Sequence, residues 1–166
     1  MATALEVAAY IKAIYLDAGL SEKDISKRRV MKLMYFAQMR HLSTFGVSLF
    51  PETQVEAWDF GPVVPFDAYK DYKASYEMCD EDAKDSILDV MLEVGSLEGD
   101  ELSDLSHNIG VFEQYYDGTP RKVIPNSAIN DSWNEFVHAV RNAPYLKKLT
   151  IAPSIDEKLM SLAYAA

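Results

Sequence analysis

Few residues of this chain could move a proton or attack a carbonyl, and they are scattered. The single cysteine, Cys79, lies in Tyr-Glu-Met-Cys-Asp-Glu-Asp, where neighbouring carboxylates raise a thiol's pKa and keep the reactive thiolate scarce. His41, His107 and His138 are not spaced as His-x-x-x-His, so no metal site is expected to assemble locally. No glycine-rich phosphate loop and no Gly-x-Ser-x-Gly elbow occurs. His107 follows Ser103 and Ser106 at an expected helix end. There the helix dipole favours a cation, and a histidine without a matched nucleophile carries little catalytic specificity. The expectation is a protein that is not an enzyme and needs no cofactor or metal.

The chemistry that remains is recognition. Trp58-Asp59-Phe60-Gly61-Pro62 places a glycine directly before a proline. Gly61 escapes the steric restriction on pre-proline residues and Pro62 fixes its own backbone, so a rigid turn is expected. Such a turn can present aromatics as binding anchors. Alternatively, Trp58 plugs the core and packs the turn onto a helix, the favoured reading because large aromatics are mostly buried. Lys32, between Met31 and Leu33, can pin the turn by pairing with Glu56 or Asp59, or stand as a solvated lysine. The candidate partner-binding residues are therefore Trp58, Asp59, Phe60, Gly61, Pro62, Lys32 and His107.

Helices must position these groups. Leu5, Ala8, Ala9, Ile11, Ile14 and Tyr15 recur at helical spacing behind a Thr3/Glu6 capping box, with Gly19 as the stop. Ser26 opens a second helix in which Val30, Leu33, Met34, Ala37 and Phe45 share a face, and Gly46 closes it. Its opposite edge carries Lys27, Arg28, Lys32 and Arg40 as a basic stripe. Three prolines and a glycine between residues 48 and 65 exclude a helix there, and alternation around Val55 and Ala57 suits a short extended segment. A helix is expected from Pro65 to Tyr76, with Phe66, Tyr69, Tyr72 and Tyr76 on one side. Another is expected behind Asp80 or Asp82, with Ile87, Leu88, Met91 and Leu92 inward, and a short one opens at Asp100. Asn126 or Asn130 caps a helix holding Ile129, Trp133, Phe136, Val137 and Val140, and Ser154 opens a last one. The reading is mainly α, a single compact domain of about six or seven helices with a short extended or β-hairpin-like insert around residues 54–65.

At 166 residues, 49% hydrophobic and 25% charged, the chain fits one domain. No apolar run reaches the roughly 18 residues of a membrane span, and the Met-Ala-Thr-Ala-Leu-Glu start lacks a secretory pattern, so a cytoplasmic location is expected. A formal net charge of -10 and a pI near 4.7 argue against direct nucleic-acid binding. Asp80, Glu81, Asp82, Asp85, Asp89, Glu93, Glu98, Asp100, Glu101 and Asp104 form an acidic band. It could meet a basic protein, although the wet faces of two helices account for it more simply.

At residues 29–36, Arg-Val-Met-Lys-Leu-Met-Tyr-Phe, and 55–65, Val-Glu-Ala-Trp-Asp-Phe-Gly-Pro-Val-Val-Pro, the chain resembles the Panacea domain. This is the SocA-like antitoxin family, which includes phage-associated proteins of the GepA type. Lys32, Leu33, Tyr35, Gly46, Leu49, Phe50, Glu56, Ala57, Trp58, Gly61, Pro62, Val63 and Pro65 stand in the family's order, with Tyr69 and Tyr72 after them. Leu102, Ser103, Ser106 and His107 fit a second family segment, with Phe112 where the family has a tryptophan. The resemblance implies a Panacea-like domain over 1–142; residues 143–166 match no part of the family and are expected to form a C-terminal helical extension packed on the same domain. It implies an antitoxin that neutralises a cognate toxin, encoded nearby, by direct binding. The alternatives are an adaptor that delivers a toxin to an ATP-dependent protease, or a phage protein that inhibits a host factor through its acidic surface.

Overall fold

The computed structural model describes residues 1–66, 71–78, 80–119, 121–142 and 161. Among them the α-helices are α1 (Ala4–Asp17), α2 (Lys27–Phe45), α3 (Glu81–Val94), α4 (Gly99–Asn108), α5 (Phe112–Tyr115), α6 (Asn126–Asn130) and α7 (Trp133–Asn142). The strands are β1 (Val55–Trp58), β2 (Gly61–Val63) and β3 (Lys122–Ile124). The fold is mainly α with a small antiparallel sheet of order β2-β1-β3. No helix among the described residues is long and apolar enough to cross a membrane.

Local sequence accounts for the two first helices. The Thr3 hydroxyl accepts from the Glu6 N–H at 3.2 Å while the Glu6 carboxylate accepts from the Thr3 N–H at 3.0 Å, closing the capping box of α1. Ser26 accepts from the Arg29 N–H at 3.1 Å to cap α2, which ends at Gly46 in the left-handed conformation with φ 72°. From Val30 to Leu42 nearly every residue of α2 is buried, because α1, α3, α4, α6, α7 and β2 all pack on it. Burying each of Leu33, Met34 and Phe36 stabilises the fold by roughly 1.5–3 kcal/mol. The buried Gln38 amide is fully engaged. It donates to Ser48 Oγ at 2.9 Å and Asn126 Oδ1 at 3.2 Å and accepts from the Leu49 N–H at 2.7 Å, tying α6 and the chain after α2 to the core.

Several expectations are corrected. Residues 65, 66 and 71–76 carry no helix; 67–70, with Tyr69, lie outside the described residues. The backbone here bonds α1 instead: the Ser75 N–H donates to Ala9 O at 3.1 Å and Lys12 Nζ to Tyr72 O at 2.9 Å. Asp80 caps α3, accepting from the Ala83 N–H at 3.0 Å, but the buried face is Ala83, Ile87, Val90, Met91 and Val94, and Leu92 is exposed. α4 starts one turn-position earlier than Asp100, with the Glu101 carboxylate accepting from the Glu98 N–H at 2.7 Å. The single helix expected across Ile129 to Val140 is two, broken at Asp131 and Ser132, where the Ser132 carbonyl starts α7 by accepting from Phe136. The helix expected from Ser154 falls outside the described residues apart from Ser161.

Candidate functional site

β1 and β2 form a two-residue hairpin in which Trp58 pairs with Gly61, leaving Asp59 and Phe60 at the turn. Alternation along β1 sends Val55 and Ala57 into the core and Glu56 and Trp58 to the outer face. Trp58 is therefore half-exposed rather than the core plug expected of it. Its indole N–H donates to Glu56 Oε1 at 3.0 Å, and the Arg121 guanidinium lies 4.7 Å from its ring centroid. Phe60 is 81% exposed.

The turn is held from below. Lys32 is 3% exposed and its ammonium donates to the Pro62 carbonyl at 2.8 Å and the Phe60 carbonyl at 3.4 Å. Of the two roles left open for it, it is not a solvated lysine but pins the turn, through backbone carbonyls rather than Glu56 or Asp59. Burial, and then the charge of Arg28, push its pKa down to about 8. The basic stripe on α2 accordingly dissolves: Lys32 is inside, Arg28 pairs with Asp100, and Arg40 donates to Asp89 at 2.9 Å.

Gly61 has φ 119°, a region that L side chains rarely adopt. A Cβ there would stand 2.7 Å from Lys32 Nζ, 3.3 Å from Ser106 Oγ and 3.8 Å from His107 Cδ2. Gly61 is thus the point where the turn, α2 and α4 meet. His107 occupies the last turn of α4, as expected, with its ring edge-on to Phe112 at 4.5 Å. All seven candidates, Trp58, Asp59, Phe60, Gly61, Pro62, Lys32 and His107, fall in one region.

Phe60 separates two hollows. One, of about 440 Å³, is lined by Met31, Trp58, Asp59, Phe60 and Val63 with Arg28, Lys32 and Arg121. The other, of about 230 Å³, has Arg28, Asp100, Ser103, Asp104 and His107 around Phe60. The Ser103 hydroxyl is covered and has no hydrogen-bond partner among the described residues. Asp59 accepts from the Tyr116 hydroxyl at 2.5 Å, tying the turn to the chain beyond α5.

Arg121 and Tyr116 are not legible as site residues, because Arg121 reaches the hairpin through the pairing of β3 with β1 and Tyr116 through its hydroxyl bond to the distant Asp59. Arg121 sits in the left-handed region at φ 68° and its N–H donates to Ala57 O at 2.9 Å. For a residue other than glycine this conformation costs roughly 1–2 kcal/mol. In the sequence, Asp117-Gly118, ending three residues before it, marks a loop and not its destination.

A histidine–serine pair does exist elsewhere: His41 Nδ1 lies 2.8 Å from Ser86 Oγ. Both are buried in the α2–α3 interface, and burial is the main influence holding the His41 pKa below its ordinary value. No group of three or more His, Cys, Asp or Glu that could hold a metal occurs among the described residues.

No curated protein and no solved structure matches the chain. Residues 30–110 hold Lys32, the whole hairpin, Ser106 and His107. That segment, just under half of the chain, matches the family model described as Antitoxin SocA-like, Panacea domain.

Proposed function

We propose that this chain is an antitoxin that holds a cognate toxin protein inactive by direct contact, with the Trp58–Pro62 turn as the anchor. The match of residues 30–110 supports the class of function. The observation that carries the location is Phe60, 81% exposed at the tip of a turn whose backbone is fixed by Lys32 and Gly61. Aromatic side chains dominate interface energetics, and an anchor already held in place loses little entropy on binding. The acidic band is the weaker surface, because its members already serve the fold. Asp80 caps α3, Asp89 holds Arg40, Glu93 accepts from Arg141 at 2.5 Å, and Asp100 holds Arg28.

The test is growth of cells that express the neighbouring gene product alone and together with this chain, followed by size-exclusion chromatography of the pair. Relief of growth arrest with a stoichiometric complex is the expected result. Arrest that persists with the folded chain present, or relief without a complex, overturns the reading.

A further inference from the structure

The larger hollow beside Phe60 has a lining that selects for a particular chemistry. Its walls are the Met31 and Val63 side chains and the Trp58 and Phe60 rings, and its volume of about 440 Å³ lies within the roughly 300–1,000 Å³ of ligand pockets. Its cations are an exception in a chain of formal net charge -10. Arg28 is already paired with Asp100, and Lys32 is spent on the carbonyls of the turn. Arg121 is different: no carboxylate of the described residues pairs with it, and its guanidinium carbon lies over Trp58, 4.7 Å from the ring centroid. A guanidinium held over a ring by a cation–π contact makes no hydrogen bond there, so its N–H fork stays available to a carboxylate, and the contact limits the orientations it must give up. The one carboxylate in the lining, Asp59, is engaged by the Tyr116 hydroxyl. Backbone geometry agrees that Arg121 is placed: its φ of 68° is disfavoured for any residue but glycine, and it is held there by the Ala57 carbonyl.

We propose that this hollow receives, from an extended segment of the partner protein, a large apolar side chain standing next to a carboxylate. The apolar group fills the space between Met31, Trp58, Phe60 and Val63, and the carboxylate takes the fork of Arg121. This names the recognition chemistry at the surface assigned above and rests on the antitoxin reading only for who the partner is.

The experiment pans a displayed library of random short peptides on the full chain. Enriched peptides are then synthesised and titrated, by fluorescence polarisation, against the unaltered chain, Arg121→Lys and Arg121→Gly. Arg121→Gly is the informative variant, because glycine adopts the left-handed backbone without strain. Relief of that strain offsets the lost contact with Trp58, and thermal unfolding of each variant, measured beside binding, separates a binding loss from a folding loss. The expected result is enrichment of Asp or Glu beside Leu, Met, Phe or Trp, with binding roughly tenfold weaker to Arg121→Gly and intermediate for Arg121→Lys. Enrichment of basic or purely apolar sequences, absence of any enrichment, or equal affinity for Arg121→Gly overturns the proposal. The two readings fail separately. Peptide binding through Arg121 without relief of toxin arrest would keep this inference and remove the antitoxin function, and the reverse would do the opposite.

Discussion

Lys32 occupies the space that a side chain on Gly61 would need, its ammonium nitrogen 2.7 Å from where the Cβ would stand. A buried cation and a missing methyl group are thus two halves of one device. Gly61→Ala must move an ammonium held by two carbonyls and also adopt φ 119°. The expected loss is about 2 kcal/mol of unfolding free energy, read as a lower urea midpoint with an unchanged slope.

The same lysine links stability to alkaline pH. Its folded pKa of about 8 lies below the ordinary 10.5, so between these values the unfolded chain keeps a proton that the folded chain has released. Stability therefore rises with pH across that window, by up to about 3 kcal/mol in total at about 1.4 kcal/mol per unit. Lys32→Met should abolish this rise. Chemical denaturation of both proteins at pH 7.5, 9 and 10 checks it, and parallel slopes in the two would show that Lys32 is not the titrating group.

On the acid side His41 contributes. Its pKa is depressed mainly by burial, so the stability it contributes is complete above the ordinary histidine value and is lost as pH falls below it. His41→Gln, which can still hydrogen-bond Ser86, should show a shallower fall in melting temperature between pH 7 and pH 5 than the unaltered protein.

Phe60 and Trp58 should separate interface from fold. Phe60→Ala removes a ring that is 81% exposed, so stability should change by no more than about 0.5 kcal/mol while toxin neutralisation is lost. Trp58→Ala removes a half-buried ring that carries Arg121 and should cost about 1–2 kcal/mol, less than the roughly 3–5 kcal/mol of a core aromatic. Thermal unfolding beside the growth assay distinguishes the two.

What could be read from the chain follows the range of the interactions concerned. Thr3 with Glu6, Ser26 and Gly46 act within a few residues, and they bound α1 and α2 where expected. The hairpin at Trp58 and Gly61 was equally local, since alternation and the Gly-Pro pair specify it. Pro65 to Tyr76 failed because helical spacing of aromatics cannot reveal that Lys12 and Ala9 on α1 capture the Tyr72 and Ser75 backbone. The partners of Lys32 were misjudged for a related reason: carbonyls are present at every residue, so sequence offers carboxylates as the visible candidates. Arg121 reaches Trp58 only after β3 has paired with β1, a contact with no local trace.

β2 is an edge strand, and unpaired edges invite another strand to add. Pro62, in its middle, has no N–H to offer, and the Pro62 carbonyl is already taken by Lys32. Whatever partner lands on Phe60 must therefore dock by side chains, because this border of the sheet has no ladder left to extend. The lysine that shapes the turn also keeps two copies of the protein from zipping together there.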